Sequence, residues 1–131
     1  MAGKRPMILD TCALLWLASG DPRLSDDARE AIESSNRLGV CAISAFEIGQ
    51  KYHKNKLLLP EPPEKWFSAI LEFYELPVFK MDHQIAIRAT ELPGHHADPC
   101  DRIIVATAQI LNLAIVTSDA KIARYGVQTL C

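Results

Sequence analysis

The sequence lacks the signatures of several protein classes. Its four cysteines, Cys12, Cys41, Cys100 and Cys131, are scattered, with no Cys-x-x-Cys pair. That spacing speaks against a zinc ribbon and a disulfide framework, and fits a reducing compartment. No apolar run nears the roughly 20 residues of a membrane helix, so no membrane association is expected. The Met1–Pro6 start carries two basic residues with no long apolar region behind them. No secretion signal is expected there, and the cytoplasm is the expected location. The six glycines form no glycine-rich phosphate loop. No Ser-His-Asp arrangement or cysteine nucleophile is evident. The net charge is −2, so there is no global basic field. Any grip on nucleic acid must come from local patches or metal ions.

What remains is an ordinary globular composition, 49% apolar over 131 residues. One domain spanning 1–131 is expected, able to bury about two-thirds of its unfolded surface. Met7-Ile8-Leu9 reads as a buried strand stopping at Asp10. A short apolar helix over Ala13–Leu17 ends at Gly20-Asp21-Pro22, and Ser25 caps a helix to about Ser35. A strand over Leu38–Ala42 leads to a helix opened by Ser44-Ala45-Phe46-Glu47 and running to Lys54. After a proline-rich connection, a helix over Glu64–Glu75 has Trp66, Phe67, Ile70, Leu71 and Phe73 or Tyr74 as its apolar side. A weak strand follows at Pro77–Phe79, then a helix capped by Asp82 that ends near Leu92-Pro93-Gly94.

The most informative stretch is Asp98–Leu111. Asp98 suits the N-cap, Pro99 the first helical position, and Asp101 the first turn, where the helix dipole favours an anion. Ile103–Ala108 contains one polar side chain, Thr107, so this helix is buried on most faces. A strand over Ala114–Thr117, a short helix over Ala120–Tyr125 and a last strand over Val127–Leu130 complete the chain. Strands alternate with helices and no hairpin signal joins them. The fold class expected is α/β, a parallel sheet with helices on both faces.

Ligands of such sheets bind beyond the carboxyl ends of the strands. Asp10 ends the first strand, and Glu47 lies just past the second, in the first turn of its helix. Asp101 opens a helix that descends on the order of 20 Å. The strand at Ala114 climbs back and delivers Asp119 to the starting edge. Asp10, Glu47, Asp101 and Asp119 should therefore share one end of the sheet, with Asp98 close by. Carboxylates that close raise one another's pKa. Mg²⁺ or Mn²⁺, hard ions with a preference for carboxylate oxygen, would resolve the conflict. The matching chemistry is metal-assisted hydrolysis of a phosphodiester.

Bland readings compete at several positions. Ser44-x-x-Glu47 is a capping box. Asp98 and Asp119 are each placed to cap a helix. Arg102 either pairs with Asp98 or touches phosphate. His95 and His96 form a zinc half-site or a solvated loop. Lys51, Lys54 and Lys56 are a solvated face or a phosphate-binding edge. Trp16, Trp66, Phe67 and Phe73 read as core or as a dimer interface.

Together, Leu9-Asp10-Thr11, Ser44-Ala45-Phe46-Glu47-Ile48, His96 to Ala106 around Asp98-Pro99-Cys100-Asp101-Arg102, and Val116-Thr117-Ser118-Asp119 resemble the PIN-domain family, in particular its VapC-type toxin ribonucleases. Arg124-Tyr125-Gly126-Val127 is similar to one branch of it. The resemblance implies a three-layer PIN-like α/β/α sandwich with sheet order 3-2-1-4-5. It implies an Mg²⁺- or Mn²⁺-dependent endoribonuclease acting on RNA, usually a homodimer, silenced by a VapB-like antitoxin. It assigns catalysis and metal binding to Asp10, Glu47, Asp101 and Asp119 and matches the hydroxyl residues Thr11, Thr117 and Ser118; Asp98 and Arg102, from their own positions, are expected in support or near substrate. Cys12 stands where relatives often have Asn or His, and Cys100 where this branch usually has an aromatic residue. The competing expectation is a catalytically silent RNA- or protein-binding domain of the same fold. A haloacid-dehalogenase-type phosphatase also starts from an Asp ending the first strand, but requires a second Asp where Cys12 stands.

Overall fold

The structure, a computed structural model, describes residues 6–35, 37–94 and 98–130. Five short strands, β1 (Met7–Leu9), β2 (Leu38–Cys41), β3 (Val78–Phe79), β4 (Ala114–Val116) and β5 (Thr129–Leu130), form one sheet in the order β3-β2-β1-β4-β5. Every pairing is parallel, with Leu9 beside Val40 on one side and Val116 on the other. All carboxyl ends therefore face the same edge. The chain builds outward from β1 to β3, then returns to β1's other flank with β4. β1 is thus the switch point, where helices diverge to opposite faces and leave a crevice.

The strands alternate at period two, as a sheet covered on both faces requires. Met7 and Leu9 face one core with Val40, Ala114 and Val116, under α1 (Thr11–Ser19), α2 (Asp26–Ser34), α3 (Ala42–His53) and α4 (Pro63–Tyr74). Ile8 faces the other core with Cys41 and Ile115, under α5 (His83–Glu91), α6 (Pro99–Leu111) and α7 (Ala120–Ala123). The three-layer architecture and the strand order match the expectation. In α4, Trp66 and Phe67 are buried, while Phe73 is exposed. Tyr74 fills the inward position instead, and its hydroxyl donates to the Leu17 carbonyl at 3.2 Å. No helix among the described residues is long and apolar enough to cross a membrane.

Several boundaries differ from the sequence reading, each for a local reason. α1 starts at Thr11, not Ala13, because Asp10 is its N-cap, and it ends at Gly20 in the left-handed conformation, φ 69°. α3 starts at Ala42, not Ser44, capped by Cys41 without a side-chain hydrogen bond. Ser44 and Glu47 therefore do not form a capping box. Ser44 lies inside the first turn and Glu47 in the second, a turn later than expected. β5 shortens to two residues. The His95–Ala97 loop, with its half-site reading, lies outside the described residues.

α6 conforms to its expected start. Asp98 accepts from the Cys100 N–H at 2.9 Å, Pro99 is the first helical residue, and Ile104, Val105, Ala106, Thr107 and Ala108 are buried. Thr107 is satisfied within the helix, donating to the Ile103 carbonyl at 2.7 Å. Arg102 reaches back to the end of α5. Its Nε donates to the Ala89 carbonyl at 3.1 Å, Nη1 to Pro93 at 2.9 Å and Nη2 to Leu92 at 2.6 Å. A fork of fixed N–H groups thus satisfies the carbonyls left over at the end of α5, and ties α6 to its neighbour.

Gly39 is a packing necessity on β2. A Cβ there would lie 2.6 Å from the Phe79 ring and 2.9 Å from the Pro77 carbonyl oxygen. Gly39→Ala is expected to cost about 1–3 kcal/mol, as overpacking does. Phe79→Leu in the same background should recover only part of it, since the Pro77 backbone remains. Urea unfolding of the single and double variants measures both.

Candidate active site

The acids arrive at the carboxyl edge on separate elements. Asp10 follows β1 directly, and its N–H donates to the Val116 carbonyl at 3.1 Å, so β4 fixes its backbone. Its Oδ1 accepts from the Ala13 N–H at 2.7 Å. The Thr117 hydroxyl also hydrogen-bonds this carboxylate. Thr117 in turn accepts from the Asp119 N–H at 3.1 Å, and Asp119 caps α7 through the Lys121 N–H at 2.9 Å. One hydroxyl therefore couples the ends of β1 and β4. Across the crevice, the Thr11 hydroxyl donates to the Ser44 hydroxyl at 2.9 Å. Both are buried, and the bond joins α1 to α3 one turn before Glu47. Ser118 is exposed beside Thr117.

Asp10 is only 5% exposed. Burial pushes its carboxyl above the ordinary value of 3.8; the Thr117 and Ala13 hydrogen bonds pull it back, and the charges of Glu47 and Asp119 push it up again. Glu47, 9% exposed, offers one oxygen to the Lys51 ammonium, Oε2 to Nζ 3.2 Å. Its Oε1 is buried with no hydrogen-bond partner, alone in this among the described residues. Two thiols record the same field. The Cys12 thiol is raised by burial and by Asp10, with Lys51 opposing and Glu47 and Asp101 adding. The Cys100 thiol is pushed up to about 11 by burial, then by Glu47, Asp98 and Asp101. Glu47 and Asp101 act on both, so the candidate acids occupy one electrostatic neighbourhood. Asp101 lies in the first turn of α6 and is half-buried.

The donor chemistry suits a hard divalent ion. The candidate ligands are carboxylate oxygens, the neighbouring Cys12 and Cys100 thiols are held protonated by their raised pKa, and Glu47 Oε1 lacks any donor. Among the described residues, no three acidic, histidine or cysteine side chains already converge at the spacing of one ion's coordination shell. Asp98, Asp119 and Asp10 are each engaged as helix caps, and Glu47 is held by Lys51. A cavity of about 710 Å³ opens elsewhere, by the strand starts Leu38 and Pro77 among Arg29, Tyr74 and Phe79. None of the candidate acids lines it; buried charge, not depth, marks the site.

The Lys51–Glu47 pair is the contact that reading for motifs missed. Its signal was available: Glu and Lys four apart on a helix, in the order the helix dipole favours.

Such a sheet with such a cleft defines a family. The PIN domain model matches residues 7–128, and the chain belongs to the PIN-domain family. It is 31% identical to Ribonuclease VapC22 of Mycobacterium tuberculosis over 117 residues, 88% of each chain. The DNA-bound VapBC structure from Salmonella typhimurium superposes with a TM-score of 0.70 at 23% identity, covering 96% of this chain and 97% of that one. FitAcB from Neisseria gonorrhoeae does so with a TM-score of 0.68 at 17% identity, covering 95% and 96%.

Because folding raises the Asp10 pKa, the folded state binds the proton more tightly than the unfolded one. Without metal, stability should fall as pH rises from near 3.8 through the raised value, and the penalty should persist above it. Asp10→Asn removes the charge. In metal-free buffer it should melt above the wild type at pH 7, and the difference should shrink towards pH 4. Thermal unfolding in EDTA across that range checks the sign.

Proposed function

We propose that the protein is a metal-dependent endoribonuclease, the toxin of a VapBC-type toxin–antitoxin pair, that hydrolyses RNA phosphodiesters at this acidic edge. The observation that carries the reading is the buried Asp10 carboxylate at the switch point, beside a Glu47 whose Oε1 has no donor. Burying like charges together is costly unless something neutralises them. The similarity to Ribonuclease VapC22 supports the substrate class.

In this reading Asp10, Glu47, Asp101 and Asp119 hold Mg²⁺ or Mn²⁺. When bound, the ion supplies Lewis acidity, making water a better nucleophile and drawing charge from the phosphate. The protein's own groups do the rest. Thr117 orients Asp10 and the Asp119 loop together. The Thr11–Ser44 bond sets the spacing between α1 and α3, and hence between Asp10 and Glu47. Asp98 keeps the first turn of α6 formed so that Asp101 is presented at its mouth, and Arg102 holds that helix against α5. Thr117 is buried and works as a support, whereas the exposed Ser118 stands where substrate could meet it. Lys54 and Lys56, both exposed past the end of α3, are available to an RNA backbone.

By likeness to the VapBC complexes of similar fold, the partner is a VapB-like antitoxin that closes the acidic cleft. A homodimer, cytoplasmic location and a single domain over 1–131 belong to the same reading.

Purified protein should cut single-stranded or looped RNA with Mg²⁺ or Mn²⁺ and stop in EDTA. Asp10→Asn and Asp101→Asn should each lower the rate on the order of 100-fold or more while staying folded by circular dichroism. Full activity in both variants would defeat the mechanism. Tight RNA binding indifferent to chelator, with no cleavage products, would instead favour a silent binding domain.

A further inference from the structure

Lys51 stands in the acidic neighbourhood, not outside it. Its Nζ is 3.2 Å from Glu47 Oε2, one turn along α3. Its charge acts on Cys12 and Cys100, and Asp98 acts on it. The pairing is one-sided, because Lys51 engages one carboxylate oxygen while Oε1 stays buried and unpartnered. An i, i+4 pair of this kind ties the carboxylate along its own helix. An ammonium on one carboxylate oxygen opposes a divalent ion on the other, because the two positive charges lie close together. The Lys51 side chain is 41% exposed, and its flexible four-carbon stem lets it withdraw.

We propose that Lys51 is the resident counter-ion of the cleft: it neutralises Glu47 in the metal-free protein and competes with a divalent ion for that carboxylate, so that it sets the metal affinity. The inference rests on the metal-dependent reading above. Lys51 is a positioning residue here, acting on the ion through Glu47. Its effect is therefore visible without substrate. Removing it should leave the metal-free protein worse off, since Glu47 keeps its charge and loses its one partner, yet should make the same site a better host for the ion.

The test is Mn²⁺ titration calorimetry and thermal unfolding of the full chain without RNA, comparing wild type, Lys51→Met, Lys51→Gln and Lys51→Arg. The two neutral variants should bind Mn²⁺ about tenfold more tightly, the scale of removing one unit charge close to a partly exposed site. Lys51→Arg should stay near wild type. Metal-free Lys51→Met should melt below wild type, and saturating Mn²⁺ should raise its midpoint by more than it raises the wild type's. In a Glu47→Gln background, Lys51→Met should no longer lower the metal-free midpoint. Equal Mn²⁺ affinity in wild type and both neutral variants, or weaker binding in them, overturns the role of Lys51 and leaves the metal centre standing. No Mn²⁺ uptake by any of the four overturns both.

Discussion

The structure depends on holding a carboxylate where water hardly reaches. Asp10 follows a central strand whose Ile8 and Leu9 are wholly buried, and Glu47 and Asp119 bear on it from other elements. Both charges oppose the ionisation of Asp10, and burial opposes it most. Only scaffold elsewhere can hold such an arrangement in place. The two apolar cores on the faces of the sheet supply it, because the strand ends cannot separate without breaking into both.

The polar contacts around the edge divide the work. Helix caps occupy Asp10, Asp98 and Asp119, so each acid is anchored by a backbone N–H group. Thr11 and Ser44 add a bond between helices far apart in sequence, and Thr117 takes the Asp119 N–H at the end of β4. Arg102 works further back, on the carbonyls at the end of α5. A cap and a metal ligand ask the same thing of a carboxylate, an oxygen held at a fixed place, and one residue can answer both needs.

How much of this was legible beforehand varied with the range of the interaction. Local signals were strong at α6, where Asp98-Pro99 starts the helix and Ile103–Ala108 buries it. They misled at α3. Ser44-x-x-Glu47 has the spacing of a capping box, but the helix begins at Ala42, and Ser44 turns to Thr11, 33 residues away. No local pattern announces a partner that distant. Arg102 was ambiguous for the same reason. Its neighbours in sequence are acids, while its partners in space are the carbonyls of another helix. The Lys51–Glu47 pair was local, and was passed over because the lysines read as a surface run.

The chain by itself determined its class: alternating strands and helices, acids at the strand ends and a buried late helix dictate a parallel sheet with its chemistry at one edge. Periodicity and helix punctuation are short-range properties, written in neighbouring residues. Only the tertiary structure decided which donors each acid meets, that Glu47 keeps one oxygen bare while Lys51 takes the other, and that Arg102 braces the scaffold. Those outcomes depend on the burial and geometry of groups set by the packed sheet and helices, which spacing along the chain does not specify even when, as for Lys51 and Glu47, both members are near in sequence.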